Sequence, residues 1–83
     1  MRNICPVCGF DELTDPPYSK FSNPSFEICG CCGFQFGFDD MSEGKSFEEF
    51  RNSWIDNNYE WFNEYKKPKN WDYKEQLKNL QLL

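Results

Sequence analysis

Cys5-Pro6-Val7-Cys8-Gly9-Phe10 and Cys29-Gly30-Cys31-Cys32-Gly33-Phe34 are two versions of one hook, Cys-x-x-Cys-Gly-aromatic. In each, the two intervening residues let both sulfurs face a common point, and the glycine supplies the permissive backbone of a tight turn. Together the hooks offer four thiolates, Cys5, Cys8, Cys29 and Cys32, at the corners of a tetrahedron. That is the closed arrangement a structural Zn²⁺ takes, with sulfur at about 2.3 Å. The chain has no histidine, so an all-thiolate set is the only soft-ligand set available. Backbone amides in such turns can donate to the sulfurs and spread their charge.

Buried free cysteines that merely pack would not explain the repeated spacing. A redox disulfide site expects a strand-to-helix context, and a disulfide framework built from five cysteines would leave one unpaired. Cys31 is the cysteine outside the set. Its plainest role is a small residue at a variable knuckle position, with alternative ligand, metal-exchange partner and oxidation site as the competing roles. Four thiolates also hold iron in rubredoxin-like sites, which makes Fe the alternative cofactor. The shorter separation of the hooks and the long second half favour zinc.

Around the hooks, residues 1–5 are predicted as a lead-in strand, and the breakers Asp15-Pro16-Pro17 and Ser22-Asn23-Pro24 mark a surface loop. Tyr18 and Phe21 are placed to cover the knuckle from it. Ser25–Cys29 and Phe34–Phe38 alternate with a period of two and predict a hairpin whose tip is the second hook. Phe34, Phe36 and Phe38 would share one face with Phe26 and Ile28. Asp39–Lys45 is a polar joint. Ser46-x-x-Glu49 is a capping box opening a helix with Phe47, Phe50, Trp54 and Ile55 inside and Glu48, Glu49, Arg51 and Asn52 in water. Asp56-Asn57-Asn58 stops it. Asp72-x-x-Glu75 opens a last helix carrying Tyr73, Leu77 and Leu80. The expected architecture is a small α+β domain over 1–83: zinc-ribbon-like β-hairpins with two zinc knuckles in 1–40, packed against C-terminal helices in an aromatic-rich part, 46–83.

At 83 residues the chain buries only about 60–65% of its unfolded surface, a thin margin without a staple. Metal capture can supply one, since apparent zinc-binding energies in small domains run to roughly 10–16 kcal/mol near neutral pH. The formal charge is −5, and four thiolates with a dication take it to about −7. Residues 1–45 carry three basic residues against seven acidic ones, which argues against nucleic acid as a partner, because phosphate contacts need a basic stripe. No signal peptide and no membrane-spanning apolar run are read, so a reducing cytoplasm is the expected location and a membrane is not an expected partner.

The order of parts resembles a family of small bacterial cysteine-rich proteins of CPCC type, named for a Cys-Pro-Cys-Cys hook. The matching residues are Cys5-Pro6-Val7-Cys8-Gly9-Phe10, Phe26-Glu27-Ile28-Cys29, Asp39-Asp40 and Ser46-Phe47-Glu48-Glu49, over roughly residues 4–55. Val7 stands where the family name implies cysteine, and Cys31 is additional. The resemblance implies a zinc-ribbon-like domain and no known activity.

A closed four-sulfur site leaves no position for substrate, and without histidine no general base or nucleophile arrangement is visible, so no enzyme activity is expected. Two functions from different classes remain. The first is a zinc-stabilised protein-interaction module. It is suggested by nine Phe, four Tyr and three Trp, with Trp61, Phe62, Tyr65 and Trp71 as candidate contacts; their plainer role is to close the core. The second is a rubredoxin-like electron carrier steered by acidic charge. Lys66, Lys67, Lys69, Lys74 and Lys78 form a local basic run, read first as a solvated face.

Overall fold

Ser46 starts the first helix, α1 (Phe47–Asp56), by accepting the Glu49 amide on its Oγ at 3.0 Å. This satisfies one of the amide donors that every helix start leaves without an intrahelical partner. The structure, a computed structural model, describes residues 2–83. Trp54 is the buried residue of α1, and Phe47, Phe50 and Ile55 pack beside it on the same face. The helix ends where Asn58 and Tyr59 both turn left-handed, at φ 61° and 58°. The Tyr59 amide then bonds back to the Trp54 carbonyl. A bulky residue at positive φ is uncommon; here it aims Tyr59 at Tyr73, with ring centroids 3.8 Å apart.

The second helix, α2 (Tyr73–Leu77), is capped by Asp72, whose carboxylate accepts the Lys74 amide. It continues as a 3₁₀ turn over Lys78–Leu82, and another short 3₁₀ turn spans Glu64–Lys66. Among the described residues no helix is long and apolar enough to cross a membrane.

The N-terminal half is built from turns. The arms expected to form a hairpin meet in one antiparallel bridge, Ile28 with Gln35, and Tyr18 bridges Pro24 in the loop. A longer ladder is interrupted by local geometry. Phe26 sits at φ 61° and Gly37 at φ 96°, neither of which continues an extended strand. Asp39 then accepts the Gln35 amide, while Asp40 accepts those of Gly37 and Met41, so the acidic pair caps a turn. Met1 of the expected lead-in strand lies outside the described residues, and residues 2–5 form no strand.

The core follows from this path. Phe34 and Phe36 are fully buried, and the Phe34 ring meets Phe36, Phe47 and Phe50 at centroid distances of 5.0–5.5 Å. Phe26, Ile28 and Phe38, expected on that face, are exposed instead, because the chain turns before alternation can carry them inward. From the loop, Tyr18 packs on Phe36 and Phe47, whereas Phe21 faces solvent. Trp61 fills the other end between Phe10 and Trp71.

Candidate metal centre

Each hook closes as the same knuckle. The Cys5 amide bonds to the Phe10 carbonyl and the Gly9 amide to the Cys5 carbonyl. The Cys29 amide bonds to Phe34 and the Gly33 amide to Cys29 in the same way. Gly9 and Gly33 take φ 85° and 83°, the left-handed geometry this turn requires and side chains resist. The Val7 amide approaches the Cys5 sulfur at 3.4 Å, the kind of donor that disperses thiolate charge.

The two knuckles face each other and bring Cys5, Cys8, Cys29 and Cys32 together, all four sulfurs lying within 4.8 Å of one another. Sulfurs pair across the hooks, Cys5 with Cys32 at 3.8 Å and Cys8 with Cys29 at 3.7 Å. A regular tetrahedron with metal–sulfur bonds of about 2.3 Å has edges of about 3.8 Å. The donor set therefore fits a tetrahedrally coordinated soft metal ion in both chemistry and size.

Electrostatics within the cluster point the same way. Hydrogen bonds from Cys32, then from Cys5 and Cys8, hold the Cys29 thiol far below its ordinary value. The bond with Cys29 pushes Cys32 far up, and burial pushes up Cys8. A metal ion held there would take the place of thiol protons, so its binding would release protons and strengthen with pH.

Support for the centre comes from the second half of the chain. Arg51 donates to the Pro6 and Val7 carbonyls at 2.8 and 2.5 Å. Gln76 donates to the Cys8 carbonyl and to the Cys31 sulfur, and accepts the Trp71 indole N–H. Asn79 donates to the Gly9 carbonyl. The second knuckle is held differently: the Phe62 and Asn63 amides bond to the Cys31 and Gly30 carbonyls, both at 2.8 Å. Among the described residues Arg51 forms no ion pair.

Arg51, expected in water, is half-buried. It lies four residues after Phe47 and three before Trp54, so helical spacing puts it on the apolar face. Gln76 likewise falls three residues after Tyr73 and four before Leu80. Cys31 lies outside the four-sulfur cluster, fully buried. Of the four aromatic contact candidates, Trp61 is buried and Trp71 half-buried, while Phe62 is 63% and Tyr65 100% exposed. In the basic run, Lys67 and Lys74 lie over the Trp71 and Tyr73 rings, and Lys78 pairs with Glu75.

No family model matches the chain, and no solved structure matches it. Among curated proteins it is similar to the uncharacterized protein YoaQ of Bacillus subtilis strain 168. The two are 27% identical over 66 residues, covering 63% of this chain and 56% of that protein. The chain thus spans little more than half the length of this relative.

Proposed function

We propose that the chain is a small zinc-binding protein of zinc-ribbon type. Its four-cysteine centre is structural, and it carries a surface that docks on another protein. The observation that carries this reading is the enclosure of the sulfur tetrahedron. Cys5, Cys8 and Cys29 are fully buried, and carbonyls of both knuckles are engaged by the rest of the chain. A centre so enclosed has a scaffold's geometry, with no position for substrate. The docking surface is the segment Phe62–Tyr65, which presents two exposed aromatic rings from a backbone anchored on the second knuckle. A rigid aromatic anchor of this kind suits a binding hot spot.

Native mass spectrometry of the purified protein should find one zinc per chain. Stripping it with a strong chelator at neutral pH should abolish the cooperative thermal transition, since the ion's binding energy is folding energy. A coloured, iron-containing protein would instead support the electron carrier, and retention of the full transition after stripping would end the structural role. Phe62→Ala combined with Tyr65→Ala should leave metal content unchanged and remove partner binding.

A further inference from the structure

Tyr59 and Tyr73 are the one pair of tyrosines in ring contact among the described residues, with centroids 3.8 Å apart and planes 16° from parallel. Both sides of the pair are fixed by the backbone. Tyr59 follows α1 at φ 58°, its amide tied to the Trp54 carbonyl and its ring edge-on to the Trp54 indole at 5.2 Å. Tyr73 opens α2 behind the Asp72 cap. At this separation ring carbons of the two phenols lie in van der Waals contact. Desolvation, and after it the Tyr73 side chain, pushes the Tyr59 hydroxyl above its ordinary value, as a phenol oxygen close by would. Both rings are half-buried and so keep a surface that a reagent can reach.

We propose that Tyr59 and Tyr73 are an oxidative cross-linking site, joined as dityrosine by one-electron oxidants of the haem-peroxidase class working on hydrogen peroxide. Each phenol gives up one electron and its hydroxyl proton, leaving a radical with spin density on the carbons ortho to oxygen. The two radicals couple there and form one C–C bond. Each coupled carbon then loses its hydrogen as a proton while each oxygen takes a proton back. The chain loses two hydrogen atoms in all, and one hydrogen peroxide becomes two waters. Rings already in contact have the proximity that separated tyrosines lack. Tyr18 packs on Phe36 and Phe47 instead, and Tyr65 is fully exposed. The new bond ties the chain just beyond α1 to the first residue of α2. Gln76 of that helix holds the Cys8 carbonyl, and Asn79 of its 3₁₀ extension holds Gly9. Cross-linking therefore locks the bracing of the first knuckle in place.

The test treats the dilute purified protein with a haem peroxidase and one equivalent of hydrogen peroxide. The product should be a monomer lighter by two hydrogens, with dityrosine fluorescence, and peptide mapping should find residues 59 and 73 in one cross-linked species. Tyr59→Phe and Tyr73→Phe should each lose this product while keeping a cooperative melting transition, and Tyr65→Phe should retain it. The cross-linked monomer should melt about 4–8 °C above the untreated protein, because the link closes the loop 59–73 in the unfolded chain. Dityrosine absent or confined to covalent dimers, a link mapped to Tyr18 or Tyr65, product retained in Tyr59→Phe, or an unchanged melting temperature would overturn the proposal.

Discussion

The knuckles at 5–10 and 29–34 close with the same pair of backbone hydrogen bonds and nearly the same glycine angle, yet side chains brace the first from outside and the main chain braces the second. Equivalent local sequence therefore produces equivalent turns, while the environment of each turn is decided by what arrives from later in the chain. Side-chain braces such as Arg51, Gln76 and Asn79 can be lost one at a time. The Phe62 and Asn63 amides cannot be removed without moving the backbone that carries them.

The sharpest way to break this comparison is to make the same change in both knuckles. Alanine at either glycine carries left-handed strain of about 1–2 kcal/mol. At Gly9, however, a Cβ would stand 2.3 Å from the Gln76 carbonyl oxygen, part of the α2 backbone. At Gly33 it would meet the Phe62 ring at 3.0 Å, an exposed side chain that can move aside. Gly9→Ala should thus destabilise the metal-loaded protein about twice as much as Gly33→Ala in denaturant titrations. Equal losses would show that the two knuckles are supported alike.

Next in size is the removal of a brace. Arg51→Gln abandons two charge-assisted hydrogen bonds and should cost about 1.5–3 kcal/mol, seen as a lower melting temperature. Lys66→Ala, which removes the aliphatic chain lying against Gly30 in the second knuckle, should stay within about 0.5 kcal/mol. If Lys66→Ala proved the costlier change, the second knuckle would also depend on side chains.

The smallest effect lies in the loop that flanks both knuckles. Burial, together with its hydrogen bond to Asp40, pushes the Tyr18 hydroxyl above its ordinary value. The folded state therefore holds this proton more tightly than the unfolded chain does. The stabilisation is fully present below the unfolded value of about 10 and is lost as pH rises beyond it. Wild type should lose melting temperature above that pH more steeply than Tyr18→Phe, which lacks the titrating group. Parallel curves would mean that the Tyr18–Asp40 contact does not stabilise the fold.

These contrasts also mark where the sequence was legible. The clustering of the four cysteine sulfurs and the Ser46 cap could be read because their logic is local, a two-residue spacing in one case and an oxygen three residues before an amide in the other. The hairpin reading relied on alternation alone and had no means of seeing the positive φ at Phe26 and at Gly37, beside which Ile28 and Phe38 are exposed. Arg51 and Gln76 were harder still, since a polar side chain on an apolar face announces a buried partner without saying which. Their partners lie 44 to 68 residues away. The comparison with YoaQ adds no activity to these readings, so the proposed function rests on the four-cysteine centre and the exposed Phe62–Tyr65 segment.

The bonds from Gln76 to Cys8 and from Asn79 to Gly9 join the end of the described chain to its beginning, and this has a consequence in time. During synthesis all four ligands have been made once Cys32 is added, but Asn79 follows only after about 2–10 s at ribosomal rates of about 5–20 residues per second. Metal capture can therefore precede enclosure. A metal ion bound in that interval would meet the four cysteines before the latch exists.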